Sequence, residues 1–131
     1  MTVRGVQLFS IPVSDQDRAR DFYVDVLGME LVEDQPMGPG RRWVRVRPAG
    51  AETAITLVTW FDSMPAGSLT GIVLETDEVE AELRRLQDHG VAVAGGVQEA
   101  PWGRYIQFAD PDGNGLILQQ TAPGSGRFAE R

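Results

Sequence analysis

Val13-Ser-Asp-Gln-Asp-Arg-Ala-Arg-Asp-Phe-Tyr-Val-Asp-Val-Leu-Gly28 has a counterpart further along the chain. It is Glu75-Thr-Asp-Glu-Val-Glu-Ala-Glu-Leu-Arg-Arg-Leu-Gln-Asp-His-Gly90. Asp15, Ala19 and Gly28 recur as Asp77, Ala81 and Gly90, each 62 residues on. The same shift lays Arg42-Trp-Val-Arg-Val46 over Arg104-Tyr-Ile-Gln-Phe108, and Ile55 over Ile117. Repeats of about this period usually announce an array. Two copies are too few for a solenoid, so they are expected to pair within one domain spanning residues 1–131. The first module covers about 1–62, the second about 68–121, and 122–131 form a frayed tail. Pairing of two copies creates a cleft, and the cleft is where function is sought.

Each copy reads as β-α-β-β-β. Val6–Val13 alternates, with Phe9, Ile11 and Val13 on one face and Leu8, Ser10 and Pro12 on the other. Ser14 or Asp15 is the helix N-cap, and Ala19, Phe22, Tyr23, Val26 and Leu27 follow at helical spacing up to Gly28. Strands are then expected over Met29–Glu33, Arg42–Arg47 and Ala54–Trp60, with Pro36–Gly40 as a turn or mobile loop. In the second copy Gly71–Thr76 is a strand and Asp77–His89 a helix with Val79, Leu83 and Leu86 inward. Val91–Ala94 is read as the next strand and Val97–Gly103 as a loop. Arg104–Ala109 and Leu116–Gln120 form a hairpin around Asp110-Pro-Asp-Gly-Asn-Gly115.

Composition narrows the function classes. The chain has no cysteine, which removes disulfides, thiol nucleophiles and thiolate metal sites. Its formal charge of −7 argues against nucleic acid and against an anionic membrane surface as partners. The N-terminal apolar run is soon interrupted by Ser10, Pro12 and Asp15, unlike a signal peptide or a membrane span. A cytoplasmic location is therefore expected. No phosphate loop, dinucleotide fingerprint or serine elbow occurs.

Several motifs resemble the vicinal oxygen chelate superfamily, the group of glyoxalases, bleomycin-resistance proteins and extradiol dioxygenases. They are Ile11-Pro-Val-Ser-Asp15, Phe22-Tyr23, Val26-Leu-Gly28, Trp102-Gly-Arg104 and Asp110-Pro-Asp-Gly-Asn114, in the family's order and spread over most of the chain. The resemblance implies an α+β fold: two tandem β-α-β-β-β modules forming a curled mixed sheet around a cavity, helices outside. It also implies a homodimer. In metal-using members a His or Gln on the first strand of each module and a Glu on the last hold one divalent ion. Carried over to this chain, those positions fall on Leu8, Ile55 or Thr56, Gly71 and Ile117. None is a nitrogen or carboxylate ligand of the kind such ions need. The sole histidine, His89, reads as a solvated helix-end residue. No metal and no other cofactor are therefore expected.

Strand alternation supplies the cavity lining. Val44 and Val46 should face the helix, leaving Trp43 and Arg45 on the other side. Tyr105 and Gln107 take the matching places in the second copy. Gly71, Val73 and Glu75 alternate inward on the fifth strand, and Gln119 follows Ile117 on the last. Trp60 and Trp102 sit at a strand end and in a loop. The candidate binding set is thus Trp43, Arg45, Trp60, Glu75, Trp102, Tyr105, Gln107 and Gln119, aromatic walls with few polar groups. Arg45 suits a carboxylate or phosphate, and Glu75 a cationic ligand or general-base role. Other assignments stay open: some rings fill the core, Arg45 pairs with Glu75, and Glu75 lies at a wet rim. The expected function is metal-free binding of a small, partly aromatic organic molecule, by sequestration or carriage, in the manner of drug-resistance members. The alternative is a metal-dependent or Glu75-based lyase, isomerase or dioxygenase.

Overall fold

The computed structural model describes residues 2–124, so most of the expected tail lies outside the described residues. The described residues divide into two compact units, 2–69 with 111–114, and 70–110 with 115–124.

The first unit holds strands β1 (Leu8–Pro12), β2 (Glu30–Pro36), β3 (Arg42–Arg47) and β4 (Ala54–Val58) in the order β1-β4-β3-β2. β1 runs parallel to β4, while β2–β3 and β3–β4 are antiparallel, so the sheet is mixed. Helix α1 (Gln16–Asp21) lies between β1 and β2 in sequence. Asp15 is its N-cap: the carboxylate accepts the Arg18 amide proton at 3.0 Å. Continuous α-helix to Gly28 was expected, but the helix closes in a π-helical turn over Phe22–Val26. The Leu27 amide reaches back five residues to Phe22 O. This wider turn carries Phe22 and Tyr23 into the core side by side, edge to face at 5.3 Å. Gly28 then turns the chain at φ 76°, a conformation glycine adopts without strain.

The apolar faces meet as alternation requires. Ile11, Val44, Val46, Leu57 and Tyr23 are fully buried. The register pairs Leu8 with Ala54, Ser10 with Thr56, and Thr56 with Arg45. Side chains on one rung share a face, so Leu8, Ser10, Thr56, Trp43 and Arg45 occupy the face away from Val44 and Val46. The β3–β4 ladder is short, with register pairs only at Arg45–Thr56 and Val46–Ile55. Where it ends, the Gln16 side-chain amide donates to Arg42 O at 2.7 Å and Leu57 O at 2.8 Å. A helix side chain thus takes over from the ladder.

Residues 111–114 belong to this unit, which a simple hairpin turn would not lead one to expect. Asp112 Oδ1 accepts from the Ser14 hydroxyl at 2.5 Å and amide at 3.1 Å, and from Arg18 at 3.3 Å. Asn114, fully buried, donates to Pro12 O at 2.8 Å and accepts from the Leu69 amide at 3.1 Å.

The second unit holds β5 (Ile72–Glu75), β6 (Gln98–Ala100), β7 (Gly103–Ala109) and β8 (Gly115–Thr121), ordered β5-β8-β7-β6. β5 runs parallel to β8 and the other pairs are antiparallel. Helix α2 (Val79–Asp88) follows β5 and buries Val79 and Leu86 completely, with Leu83 half-buried. It begins two residues later than the sequence reading. Its first amide, Val79 N, is met by Gln120 Oε1 at 3.0 Å rather than by a local cap. His89 is its exposed C-cap, with Nδ1 2.9 Å from Arg85 O.

Two expectations fail here. Val91–Ala94 is not a strand, and the segment read as a loop contains β6. The repeat had placed a strand directly after the helix, but the Gly95–Gly96 pair postpones it to Gln98-Glu-Ala100. That edge strand is polar and pairs on one side only, so it carries no alternating apolar signal. Gly71 also differs. It precedes β5, is exposed and stands at φ 82°. A Cβ there would meet nothing within 4 Å. Gly71 therefore serves backbone conformation, not cavity space.

The architecture is α+β, two tandem modules each of one mixed four-stranded sheet and one helix, and neither sheet closes on itself. No helix among the described residues is long and apolar enough to cross a membrane.

Candidate functional site

The eight candidate residues divide between the units. Trp43, Arg45 and Trp60 lie on the first, and Glu75, Trp102, Tyr105, Gln107 and Gln119 on the second.

On the first unit the side chains are held by residues the sequence reading passed over. β2 carries a bulge between Leu31 and Glu33, which shifts its side-chain parity. Glu33 thereby falls opposite Arg45, and Gln35 opposite Trp43. Glu33 Oε1 accepts from Trp43 Nε1 at 3.1 Å and from Arg45 Nη1 at 3.5 Å. Its second oxygen accepts from Gln35 Nε2 at 2.9 Å. Arg45 is thus paired with Glu33 of its own sheet, whereas pairing with Glu75 was one of the assignments left open. The Trp43 ring is fixed beside a hollow of about 260 Å³ lined by Glu33, Gln35, Pro36, Met37 and Trp43. That volume holds a ring system rather than a whole drug-sized molecule. Trp60, just past β4, has Phe61 at 6.1 Å and the Arg41 guanidinium 5.7 Å from its ring centroid.

The arginine run splits between faces as alternation demands. Arg42 binds Asp34 at 2.7 Å and Asp17 at 2.7 Å, and Arg20 joins Asp34 at 2.6 Å. The Arg42 and Arg20 guanidiniums hold the Asp34 carboxyl down at about 2, hydrogen bonding to Arg42 being the larger cause. Arg45 and Arg47 point the other way, Arg47 to Glu30. These arginines are a network of ion pairs rather than an anion patch.

On the second unit, one cross-strand row contains Gln98, Tyr105, Gln119 and Glu75. The next contains Gln107, Ile117 and Val73. Alternation thus grouped Glu75, Tyr105, Gln107 and Gln119 on one face correctly. Glu75 spends both oxygens on Thr121, accepting from its hydroxyl at 2.7 Å and its amide at 3.2 Å. Gln119 Nε2 donates to the same hydroxyl at 3.2 Å. This arrangement orients the Glu75 carboxylate, each oxygen accepting one hydrogen bond from Thr121. Trp102 sits at the tip of the β6–β7 hairpin, 54% exposed. It is therefore not a core ring.

The register also settles the second metal position. Arg45 pairs with Thr56, and Gln107 with Ile117. Thr56 is thus the structural counterpart of Ile117, and the Ile55–Ile117 match is one residue out. The four positions are Leu8, Thr56, Gly71 and Ile117. Their methyls, one hydroxyl and one missing side chain do not fit a divalent ion. The Thr56 hydroxyl is already bonded to Ser10 Oγ at 2.9 Å.

The family model of the Glyoxalase/Bleomycin resistance protein/Dioxygenase superfamily matches residues 5–118. The chain belongs to this superfamily. An antibiotic binding protein, TnmS3 from Streptomyces sp. CB03234, is 52% identical with a TM-score of 0.88, covering 93% of this chain and 99% of its own. A glyoxalase/bleomycin resistance protein from the same Streptomyces strain is also 52% identical, with a TM-score of 0.80 over 88% of this chain and 100% of its own. YetH of Bacillus subtilis (strain 168), itself uncharacterized, is 31% identical over 121 residues, 90% of this chain and 99% of that protein.

Proposed function

We propose that the protein binds a small, partly aromatic organic molecule without a metal and sequesters or carries it. The observation that carries this reading is the Trp43 ring, pinned through Nε1 to Glu33 at 3.1 Å beside a ring-sized hollow. A ring whose polar handle is already satisfied offers its face at little ordering cost. The poor fit of Leu8, Thr56, Gly71 and Ile117 to a metal favours binding over the superfamily's metal chemistry. Glu75, with both oxygens engaged by Thr121, favours a positioning role over general-base catalysis. The likeness to an antibiotic binding protein at 52% identity supports a ligand of that kind.

In this reading Trp43, Arg45 and Trp60 are the candidate ligand contacts of the first module, and Glu75, Trp102, Tyr105, Gln107 and Gln119 those of the second. The chain acts as one domain and as a homodimer in the cytoplasm. Val73 and Trp102, each 54% exposed, are apolar surface that association would cover. Titration of intrinsic tryptophan fluorescence with bleomycin and a panel of naphthalene compounds tests the proposal. Saturable quenching that is lost in Trp43→Leu supports it. A flat response to every compound overturns it.

A further inference from the structure

The first unit carries a polar row that its repeat lacks. Across β2, β3, β4 and β1 the register aligns Glu33, Arg45, Thr56 and Ser10 on one face. The matching row of the second unit is Gln107, Ile117 and Val73. Duplicated modules have therefore diverged here, one toward an apolar surface and one toward charge and hydroxyls. Within the polar row Arg45 is under-used. Its ion pair with Glu33, through Nη1, is long at 3.5 Å. Its Nε is buried and has no hydrogen-bond partner among the described residues. A buried N–H left unmade is costly to the free protein. Next to it, Ser10 and Thr56 share one hydroxyl proton at 2.9 Å, which leaves the other free to donate.

We propose that this row is an oxyanion subsite: Arg45 Nε and the Ser10–Thr56 hydroxyl pair receive a carboxylate or ionised phenol on the ligand's ring. This rests on the ring-binding reading above and names the group that fixes the ring's orientation. The unmade Arg45 Nε–H and the spare hydroxyl proton both donate, so an acceptor oxygen is the group that complements them. Trp43, two residues from Arg45 on the same strand face, supplies the surface against which the ring lies.

Three probes of one shape test it: 2-naphthoate, 2-naphthalenemethanol and 2-naphthylmethylammonium, titrated by tryptophan quenching. The acid should bind roughly tenfold more tightly than the alcohol, the size of one charge-assisted hydrogen bond, and the ammonium more weakly than both. Arg45→Met should abolish that preference, and Ser10→Ala with Thr56→Val should reduce it. Equal binding of acid and alcohol, or a preference that survives Arg45→Met, overturns the subsite and leaves the ring site standing. Failure of all three probes overturns both. A ligand-free readout separates subsite from scaffold. Arg45→Met should melt at the same temperature or higher, since it removes an unsatisfied buried donor. A clear fall in Tm would assign Arg45 to the framework and overturn the proposal.

Discussion

Asn114→Ala removes a side chain that is fully buried and bonded at both ends. Its Nδ2 donates to Pro12 O, and its Oδ1 accepts from Leu69 N. The two losses are unequal. Pro12 O keeps a second donor, the Gly67 amide at 3.2 Å, so it is never wholly unpaired. Leu69 N, half-buried, loses its Asn114 acceptor, at a cost toward the lower end of the about 1–3 kcal/mol of an unmade buried amide. With the small cavity added, about 2–3 kcal/mol of destabilisation is expected. That is a large part of the 5–15 kcal/mol typical of a whole domain. Asn114→Asp keeps the acceptor and shape but turns a carboxylate oxygen toward Pro12 O. It should cost more than alanine at neutral pH, about 3–4 kcal/mol. Protonation restores a donor, so burial raises the folded-state pKa of the new carboxyl. Its penalty should shrink as pH falls through the carboxylate range. Urea unfolding followed by circular dichroism at pH 7 and pH 5 reads all three proteins. A cost below about 0.5 kcal/mol for Asn114→Ala would refute the view that the turn at 111–114 is fastened to the first unit by this side chain.

Other consequences follow from the same physics. Asp34, held at about 2 against an ordinary 3.8, contributes stability that is complete above about 4 and lost as pH falls toward 2. Solvent screening reduces the contribution from about 2 to nearer 1 kcal/mol; Asp34→Asn should remove it, flattening the acid limb of a pH-stability curve, and an unchanged limb contradicts this. Gln16→Glu sets an acceptor against Arg42 O and Leu57 O and should destabilise by about 2–3 kcal/mol, more than Gln16→Met at about 1–2 kcal/mol. The reverse order in urea melts would mean that the side chain merely packs. Glu33→Gln should loosen Trp43 and Arg45 together, seen as faster acrylamide quenching of tryptophan and weaker ligand binding by roughly threefold to tenfold.

The repeat and the alternation made most of this molecule readable before any coordinates. β3, Arg42–Arg47, has the bounds and faces expected, because Val44 and Val46 alternate with long polar or aromatic residues. Pattern alone missed what one module does differently from the other. β6 is polar, and Gly95–Gly96 displace it from where the first module's β2 predicts it. The π-helical turn at Phe22–Val26 leaves no mark in a helical periodicity. At the candidate site, parity alone grouped Trp43 with Arg45, and Glu75 with Tyr105, Gln107 and Gln119, as the registers do. Glu33 was not, because the bulge beside it changes parity and no periodic signal announces a bulge. The pairing of Glu75 with Thr121 was equally hidden, since its partner enters from the far end of β8.

The Trp43 face should receive an organic ring without a metal. The most direct measurement is a tryptophan-quenching titration of the protein with 2-naphthoate, run in the presence and absence of EDTA, beside Trp43→Leu. Saturable quenching that EDTA leaves unchanged and Trp43→Leu abolishes is the expected result. Binding that EDTA removes, or that persists undiminished in Trp43→Leu, would contradict it.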